Sequence, residues 1–248
     1  MIREPLVEKG VGTRDGFRWR SREISRVEGF TDAVFAFAVT LLVVSLEVPH
    51  TFHDLWEMMS GFFAFAFAFA LLVWFWYQQY LYFRRYGLDG AWSIALNAAL
   101  LFVVLFFVYP LKFLFTILIK MFSGQDARVR LPDGTLHAPI SPPEWGPLMT
   151  IYGLGYLAVF AIFLLMYLHA WRHRDRLGLD AVERFDTRTS MLEFLLNIGV
   201  ALVSLAIIQI GGPAWAAVSG LTYAAVGPLM GTLGSIRGIR RDRLRRAS

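Results

Sequence analysis

The chain has 248 residues, of which 56% are hydrophobic, and a formal net charge of +5. Several apolar runs are longer than a soluble helix needs, which excludes an ordinary water-soluble domain and indicates an integral membrane protein. The sequence contains no cysteine, which excludes disulfides and thiolate metal sites.

Six stretches are long and apolar enough to cross a bilayer, which takes about 20 residues per helix. They lie at 28–47, 58–82, 91–119, 146–170, 190–211 and 213–234. The second alternates Phe with Ala as a strand might, but it is too long and too uniformly apolar for a membrane β-strand. We therefore predict an all-α, polytopic fold with a transmembrane domain at 28–234, a basic segment at 1–27 and a basic tail at 235–248.

The positive charges indicate the orientation of these six spans. Lys and Arg number seven in residues 1–27, two in 83–90, five in 171–189 and six from 235 onward, which together make 20 of the 24. By the positive-inside rule both termini are expected in the cytoplasm, and an even number of crossings agrees with this. The longest connection, an outer loop at 122–145, then lies on the opposite side. The tail has the composition either to contact anionic lipid headgroups or to act only as a topology signal, and the second interpretation is favoured.

The first span begins with three charged residues and then holds none until Glu47. At about 100° per residue, Ala36 and Val43 lie near Asp32 on the helix surface. Phe37, Thr40 and Val44 cluster in a different direction. An ionisable residue in a spanning helix normally needs a partner in the protein or in water, so Asp32 is a candidate functional residue, with a simple helix-start acid as the alternative.

Four residues at the start of this span match, in type and spacing, a signature written RxxxFSD: Arg26, Phe30, Thr31 and Asp32. This segment resembles the first helix of the transmembrane protein 175 family, potassium channels of endosomes and lysosomes with bacterial and archaeal relatives. Thr31 stands where Ser is usual and keeps the hydroxyl. Trp76 and Asn97, in the next two spans, are similar to further family positions. The likeness covers roughly the first 110 residues.

The resemblance implies a homotetramer in which the first helix of each subunit lines a central potassium pathway, with the permeant ion as the only bound cofactor. The family's narrowest point is a ring of Leu or Ile five residues after the signature Asp, which corresponds to Phe37 here. A family Thr corresponds to Thr40, and Leu41 and Val44 follow by helical spacing. The signature residues, with Trp76 and Asn97, are implied to form a polar clasp between helices. Prokaryotic members suggest the inner membrane of a prokaryote.

The sequence departs from the family pattern in two places. Gln79 and Tyr80 stand where family members commonly show a pair of His residues, so the clasp needs other hydrogen-bond donors here. Phe37 replaces an aliphatic residue, and four phenyl rings could either seal the pathway or gate it by dewetting. Further along, Glu47 is either an acidic ring that concentrates cations at the outer mouth or a single interfacial acid.

The function expected from these observations is a potassium-preferring cation channel with a hydrophobic constriction. The alternative is a proton-coupled transporter or proton pathway that uses Asp32 and Glu193, although no repeat relates the two halves of the chain. An intramembrane enzyme built on Asp32, His137 and Glu193 would be a third class. No nucleophile or nucleotide-binding motif accompanies those residues, so we expect no enzyme and no catalytic residue. His169 and His173 have a spacing that could bind metal, but no third ligand is evident in the sequence, so we expect no metal site. The basic charge is explained by topology, so we expect no nucleic-acid partner.

Overall fold

The computed structural model describes residues 17–21, 24–44, 50–52, 55–56, 59, 61–122, 129–130 and 136–247. Its α-helices are α1 (Arg26–Val44), α2 (Phe62–Tyr86), α3 (Ala91–Phe122), α4 (Trp145–Arg172), α5 (Ala181–Gly211), α6 (Ala216–Leu221) and α7 (Val226–Ala247). Single 3₁₀ turns occupy Pro142–Glu144, Pro213–Trp215 and Thr222–Ala225. In the predicted outer loop, β1 (Val129–Arg130) pairs antiparallel with β2 (Leu136–His137). The predicted all-α, polytopic fold is confirmed.

Among the described residues, five segments are long and apolar enough to cross a membrane: α2, Ala91–Ile117 of α3, Pro142–Arg172, α5, and the C-terminal segment Pro213–Leu244. The remaining predicted span, α1, has 19 residues and carries Arg26, Glu28 and Asp32 in its first two turns. The charges therefore lie at one end of α1 and the apolar residues at the other. This distribution makes its first turns the polar end of the helix.

The fifth span begins earlier than its hydropathy predicts, at Ala181 rather than near 190. Asp180 is the N-cap residue, and its Oδ1 accepts a hydrogen bond from the backbone N–H of Glu183. Glu183 in turn accepts from the N–H of Asp180 through its Oε2 at 3.1 Å. This reciprocal capping box satisfies two backbone donors, which lets a polar first turn extend the helix beyond its apolar part.

The sixth span is interrupted rather than being one helix. Gly212 follows α5 with φ at 68°, a left-handed conformation that favours glycine, and its N–H bonds to the carbonyl of Ile208. Pro213 then starts a 3₁₀ turn, because proline has no N–H to continue the α5 ladder. A second 3₁₀ turn separates α6 from α7, and α7 continues to Ala247 through the predicted tail. The basic tail is thus largely helical.

Aromatic side chains form the centre of the core, where α2, α4 and α5 meet. Phe163 of α4 stacks on Phe194 of α5, with ring centroids 5.4 Å apart. Tyr167 contacts Phe194 and Tyr86 edge to face, and the Tyr86 hydroxyl lies 2.8 Å from Thr187 Oγ1. Because all these rings are buried, they fix the relative positions of three helices through packing and one hydrogen bond.

Residues 17–21, which we call the N-terminal strap, lie just before α1 and cross the ends of α2 and α5. Phe17 is fully buried against Tyr86, and the N–H of Arg20 bonds to the carbonyl of Arg84 at 3.0 Å. Gly87 ends α2 with φ at 59°, and a Cβ built there would lie 3.1 Å from the Arg20 carbonyl oxygen. The left-handed backbone and the close approach of the strap therefore both favour glycine at this position.

Candidate functional site

The start of α1 is capped by its own acid. The Ser25 Oγ accepts from the Glu28 N–H at 3.1 Å, and the Glu28 Oε1 accepts from the Ser25 N–H at 3.2 Å. Glu28 is buried. This Ser-x-x-Glu pair is a capping box, a pattern readable from the sequence but missed there. It explains the first of the two acids at the front of the helix.

One face of α1 packs into the subunit, against α2 and α3. Thr31, Phe35, Ala38 and Leu42 are buried and follow one another at helical spacing. Leu41 lies at the edge of this face, where it is partly buried against the core. This buried face was not predicted from the sequence, because it lies in neither the direction of Asp32 nor the direction of Phe37 on the helix.

The opposite side of α1 is exposed in the subunit. We call its central residues the exposed strip: Phe30, Ala33, Phe37 and Thr40. Phe37 is 57% exposed, and the Thr40 hydroxyl donates to the Ala36 carbonyl at 2.9 Å. Asp32 is also exposed, at one edge of the same broad side. Glu47 lies outside the described residues, as does the side chain of Val44.

Asp32 has a partner on the second helix. The indole Nε1 of Trp76 donates to Asp32 Oδ1 at 2.7 Å. The two residues are 44 positions apart, and the contact joins the polar end of α1 to α2. The interaction is a charge-assisted hydrogen bond at an exposed edge of the helix pair.

A second polar connection is buried between three helices. The Asn97 Nδ2 of α3 donates to Thr31 Oγ1 of α1 at 2.7 Å, and Asn97 Oδ1 accepts from Gln79 Nε2 of α2 at 2.9 Å. The Thr31 hydroxyl donates to the Val27 carbonyl at 2.8 Å. Family members commonly have histidine near this position, and in this chain Gln79 supplies a hydrogen-bond donor there.

Only some of the residues predicted for the clasp come together in the structure. Thr31, Asp32, Trp76 and Asn97 come together through the hydrogen bonds above. Arg26 and Phe30 are exposed on the side of α1 that carries Phe37, and neither takes part in those bonds. Phe30 and Phe37 are seven residues apart, about two helical turns, so they share a face. The role of the clasp stays a prediction.

An ion-pair network next to α1 was not predicted from the sequence. Glu183 of α5 is fully buried and accepts from Arg20 Nη2 at 2.6 Å and from Arg18 Nη2 at 2.9 Å. The hydrogen bond to Glu183 is the main cause that raises the pKa of Arg18 above its ordinary value. Arg20 is also buried and donates to the carbonyls of Leu177 and Arg85. The strap leading into α1 is thereby attached to the start of α5.

We expect Asp32→Ala to lower the stability of the folded protein by about 1 kcal/mol, because the Trp76 indole loses a charged acceptor at an exposed site. Asp32→Asn keeps an acceptor and should cost less. Thermal denaturation midpoints of the purified variants, followed by size-exclusion chromatography, would measure this. In a double-mutant cycle, Asp32→Ala/Trp76→Phe should lose no more stability than the less stable of the two single variants. Full additivity of the two losses would contradict the contact.

These features define a class of protein. The chain is a multi-pass α-helical membrane protein whose first helix has a charged, capped end, polar bonds to two neighbouring helices and a free outer side. Among the described residues, no group of three or more potential ligands could hold a metal ion.

Comparisons with known proteins give the family. The model of the family described as "Endosomal/lysosomal potassium channel TMEM175" matches residues 26–107. A protein of Marivirga tractuosa named "Potassium channel" is 40% identical over 242 residues, covering 96% of this chain and 98% of that relative. The chain therefore belongs to the transmembrane protein 175 family. Since the relatives are named as channels, the prediction that it is not an enzyme is confirmed.

Among the solved structures that resemble the chain are two channels. One is the potassium channel MtTMEM175, a threonine-to-alanine variant in complex with a nanobody–MBP fusion protein. It has a TM-score of 0.78 and 38% identity, and the match covers 92% of this chain and 99% of that chain. The other, a lysosomal potassium-selective channel homologue from Chamaesiphon minutus, has a TM-score of 0.54 and 20% identity over 89% and 99% of the two chains. This second likeness concerns the fold alone.

Proposed function

We propose that this protein is a potassium-preferring cation channel formed by four copies of the chain, with α1 of each subunit lining the pathway. The names of a 40% identical relative and of a 38% identical structure support potassium as the permeant ion. No cofactor other than that ion is required. The membrane would be the inner membrane of a prokaryote, with both termini in the cytoplasm.

The exposed side of α1 is the observation that carries the proposal. The side of α1 that carries Asp32 is poorly suited to lipid: the carboxylate stays exposed although it accepts from Trp76, and such a group on a spanning helix is costly unless it meets more protein or water. In the subunit, however, this side is uncovered. Association of subunits around α1 would give it both a protein neighbour and an aqueous pathway.

Phe37 would form the constriction of this pathway. It lies near the middle of α1, with its ring directed out of the subunit, and Thr40 follows one turn later on the same strip. Four phenyl rings would make an apolar narrowing that passes ions only when it is hydrated. Leu41 would contribute from the edge of the strip. Val44 and Glu47 would continue the pathway toward the outer side, where four Glu47 carboxylates would attract cations.

The proposal is tested by ion flux through purified protein in liposomes. We expect the wild type to pass potassium faster than sodium. Phe37→Ala should raise the flux of both ions several-fold and reduce the preference for potassium, because it removes the widest side chain from the narrowing. Phe102→Ala is the matched control, since Phe102 is an equally large, exposed ring on α3. It should leave flux unchanged.

Two outcomes would contradict this function. Unchanged flux in well-folded Phe37→Ala protein would remove Phe37 from the pathway. A flux that requires a proton gradient and is lost in Asp32→Asn would instead favour the proton-coupled transporter. The oligomer is tested separately by the mass of the detergent-solubilised protein, for which we expect four chains.

A further inference from the structure

A cleft rich in arginine lies at the ends of α4, α5 and α7, on the side predicted to face the cytoplasm. Its volume is about 740 Å³, within the range of small-ligand sites. Four guanidinium groups and two aromatic rings dominate its lining: Arg174, Arg184, Arg188, Arg237, Trp171 and Phe185. The cleft is separate from α1 and from its polar contacts.

Positive charge in the cleft exceeds the negative charge that balances it. Arg184 bonds to Asp175 at 2.9 Å, and Arg174 lies 3.7 Å from the same carboxylate. Neither Arg188 nor Arg237 takes part in an ion pair among the described residues. Glu193 lies near enough to Arg237 for a long-range electrostatic attraction, but the two form no ion pair. Four cations therefore share one direct counter-charge, an arrangement that attracts an anion.

The unpaired arginines are held in place by rings rather than by acids. The Arg188 guanidinium lies 4.5 Å from the centre of the Trp171 ring, and that of Arg237 lies 4.8 Å from the Phe185 ring. The Nε of Arg237 is buried without a hydrogen-bond partner in the described part of the chain. Stacking orients both groups, and the Nη donors of Arg188 and Arg237 bond to no acceptor in the described part of the chain.

A separate ion pair fixes the wall formed by α7. Arg241 donates to Asp186 through Nε at 2.7 Å and through Nη2 at 2.6 Å. Arg237 precedes Arg241 by four residues, one turn of the same helix, so this bidentate bond also positions Arg237 beside α5. The cleft is thus built by packing within the subunit.

We propose that this cleft binds the phosphate group of an anionic membrane lipid. Planar guanidinium groups match phosphate oxygens in pairs, and several of them converge here. The cleft lies at the ends of the spanning helices α4 and α5, which is the level of the lipid headgroups. Basic pockets between helices on the cytoplasmic side are suited to such headgroups. The site is independent of which ion the protein conducts.

The test uses the purified full chain in neutral detergent, with bound lipid counted by native mass spectrometry. Dioctanoyl phosphatidylglycerol is the probe, and dioctanoyl phosphatidylcholine is the zwitterionic comparison. We expect Arg188→Gln/Arg237→Gln to weaken phosphatidylglycerol binding by about tenfold or more, since two charge-assisted contacts are lost. The matched control is Arg176→Gln/Arg243→Gln, which removes two exposed arginines outside the cleft. It should change binding less than about twofold.

The possible results separate the sources of phosphate. Loss of phosphatidylglycerol binding in Arg188→Gln/Arg237→Gln but not in the control variant supports the lipid site. Displacement of the lipid by millimolar inorganic phosphate would overturn the lipid assignment and give the cleft to a free phosphate. Equal loss in both double variants, or none in either, would overturn the site itself. If the Gln variant does not fold, Arg188→Lys/Arg237→Lys keeps the charge but not the paired donors, and binding as tight as wild type would then count against the proposal.

Discussion

Replacing Glu183 by glutamine is expected to destabilise the protein by about 3–5 kcal/mol, the range for a buried ion pair that loses one partner. The carboxylate is fully buried, and it accepts from the side chains of Arg20 and Arg18 and from the backbone N–H of Arg18. Glutamine would fit the space but would carry no charge. Arg20, which is also buried, would then remain ionised without a counter-charge.

The measurement is the loss of folded oligomer with temperature or denaturant, and Arg18→Gln is the control. The Arg18 side chain is 45% exposed, so water can replace part of its interaction and the loss should stay below about 1 kcal/mol. Equal losses of stability in Glu183→Gln and Arg18→Gln would contradict the larger contribution expected from the buried Arg20–Glu183 ion pair. Because the strap leads directly into α1, Glu183→Gln should also increase proteolytic cleavage near the start of that helix.

Asn97→Leu should be the second most damaging change, with an expected loss of about 2–3 kcal/mol. Leucine has a similar size, but it can neither accept from Gln79 Nε2 nor donate to Thr31 Oγ1. The Gln79 donor, which is buried, would be left without its partner. Thr31 would keep its bond to the Val27 carbonyl, so most of the loss is expected from Gln79.

A double variant tests whether the unpaired Gln79 donor causes the loss of stability. In Gln79→Leu/Asn97→Leu both members of the bond become apolar, so part of the lost stability should return. Thermal midpoints of wild type, the two single variants and the double variant would give the coupling directly. A double variant that is less stable than Asn97→Leu would contradict the role assigned to the bond.

The first helix shows how much the sequence could predict about the site. Charges, hydropathy and helical spacing are properties of neighbouring residues, so they place Asp32 and Phe37 in different directions on α1. The same spacing places Phe30 with Phe37, which the signature alone did not reveal. Which side of α1 would be buried depends on α2 and α3, and the spacing within α1 contains no information about them.

The ends of the helices also depended partly on contacts that hydropathy does not describe. Apolar length located the six spans, but the capped start of α5 at Ala181 depends on Asp180 and Glu183 rather than on hydropathy. Gly212 and Pro213 separate α5 from the sixth span, and the 3₁₀ turn Thr222–Ala225 interrupts that span. Average hydropathy over a span does not register such local backbone geometry.

By itself, the sequence determined the membrane class, the helical spans, the family and the residues that share a side of α1. Only the tertiary structure decided the partners: Trp76 for Asp32, Asn97 for Thr31, and Glu183 for Arg20, which is 163 residues away. The same holds for the arginine cleft, whose walls come from three helices. The physical reason is that each of these contacts depends on how separate helices pack, whereas hydropathy and spacing depend only on residues adjacent in the chain.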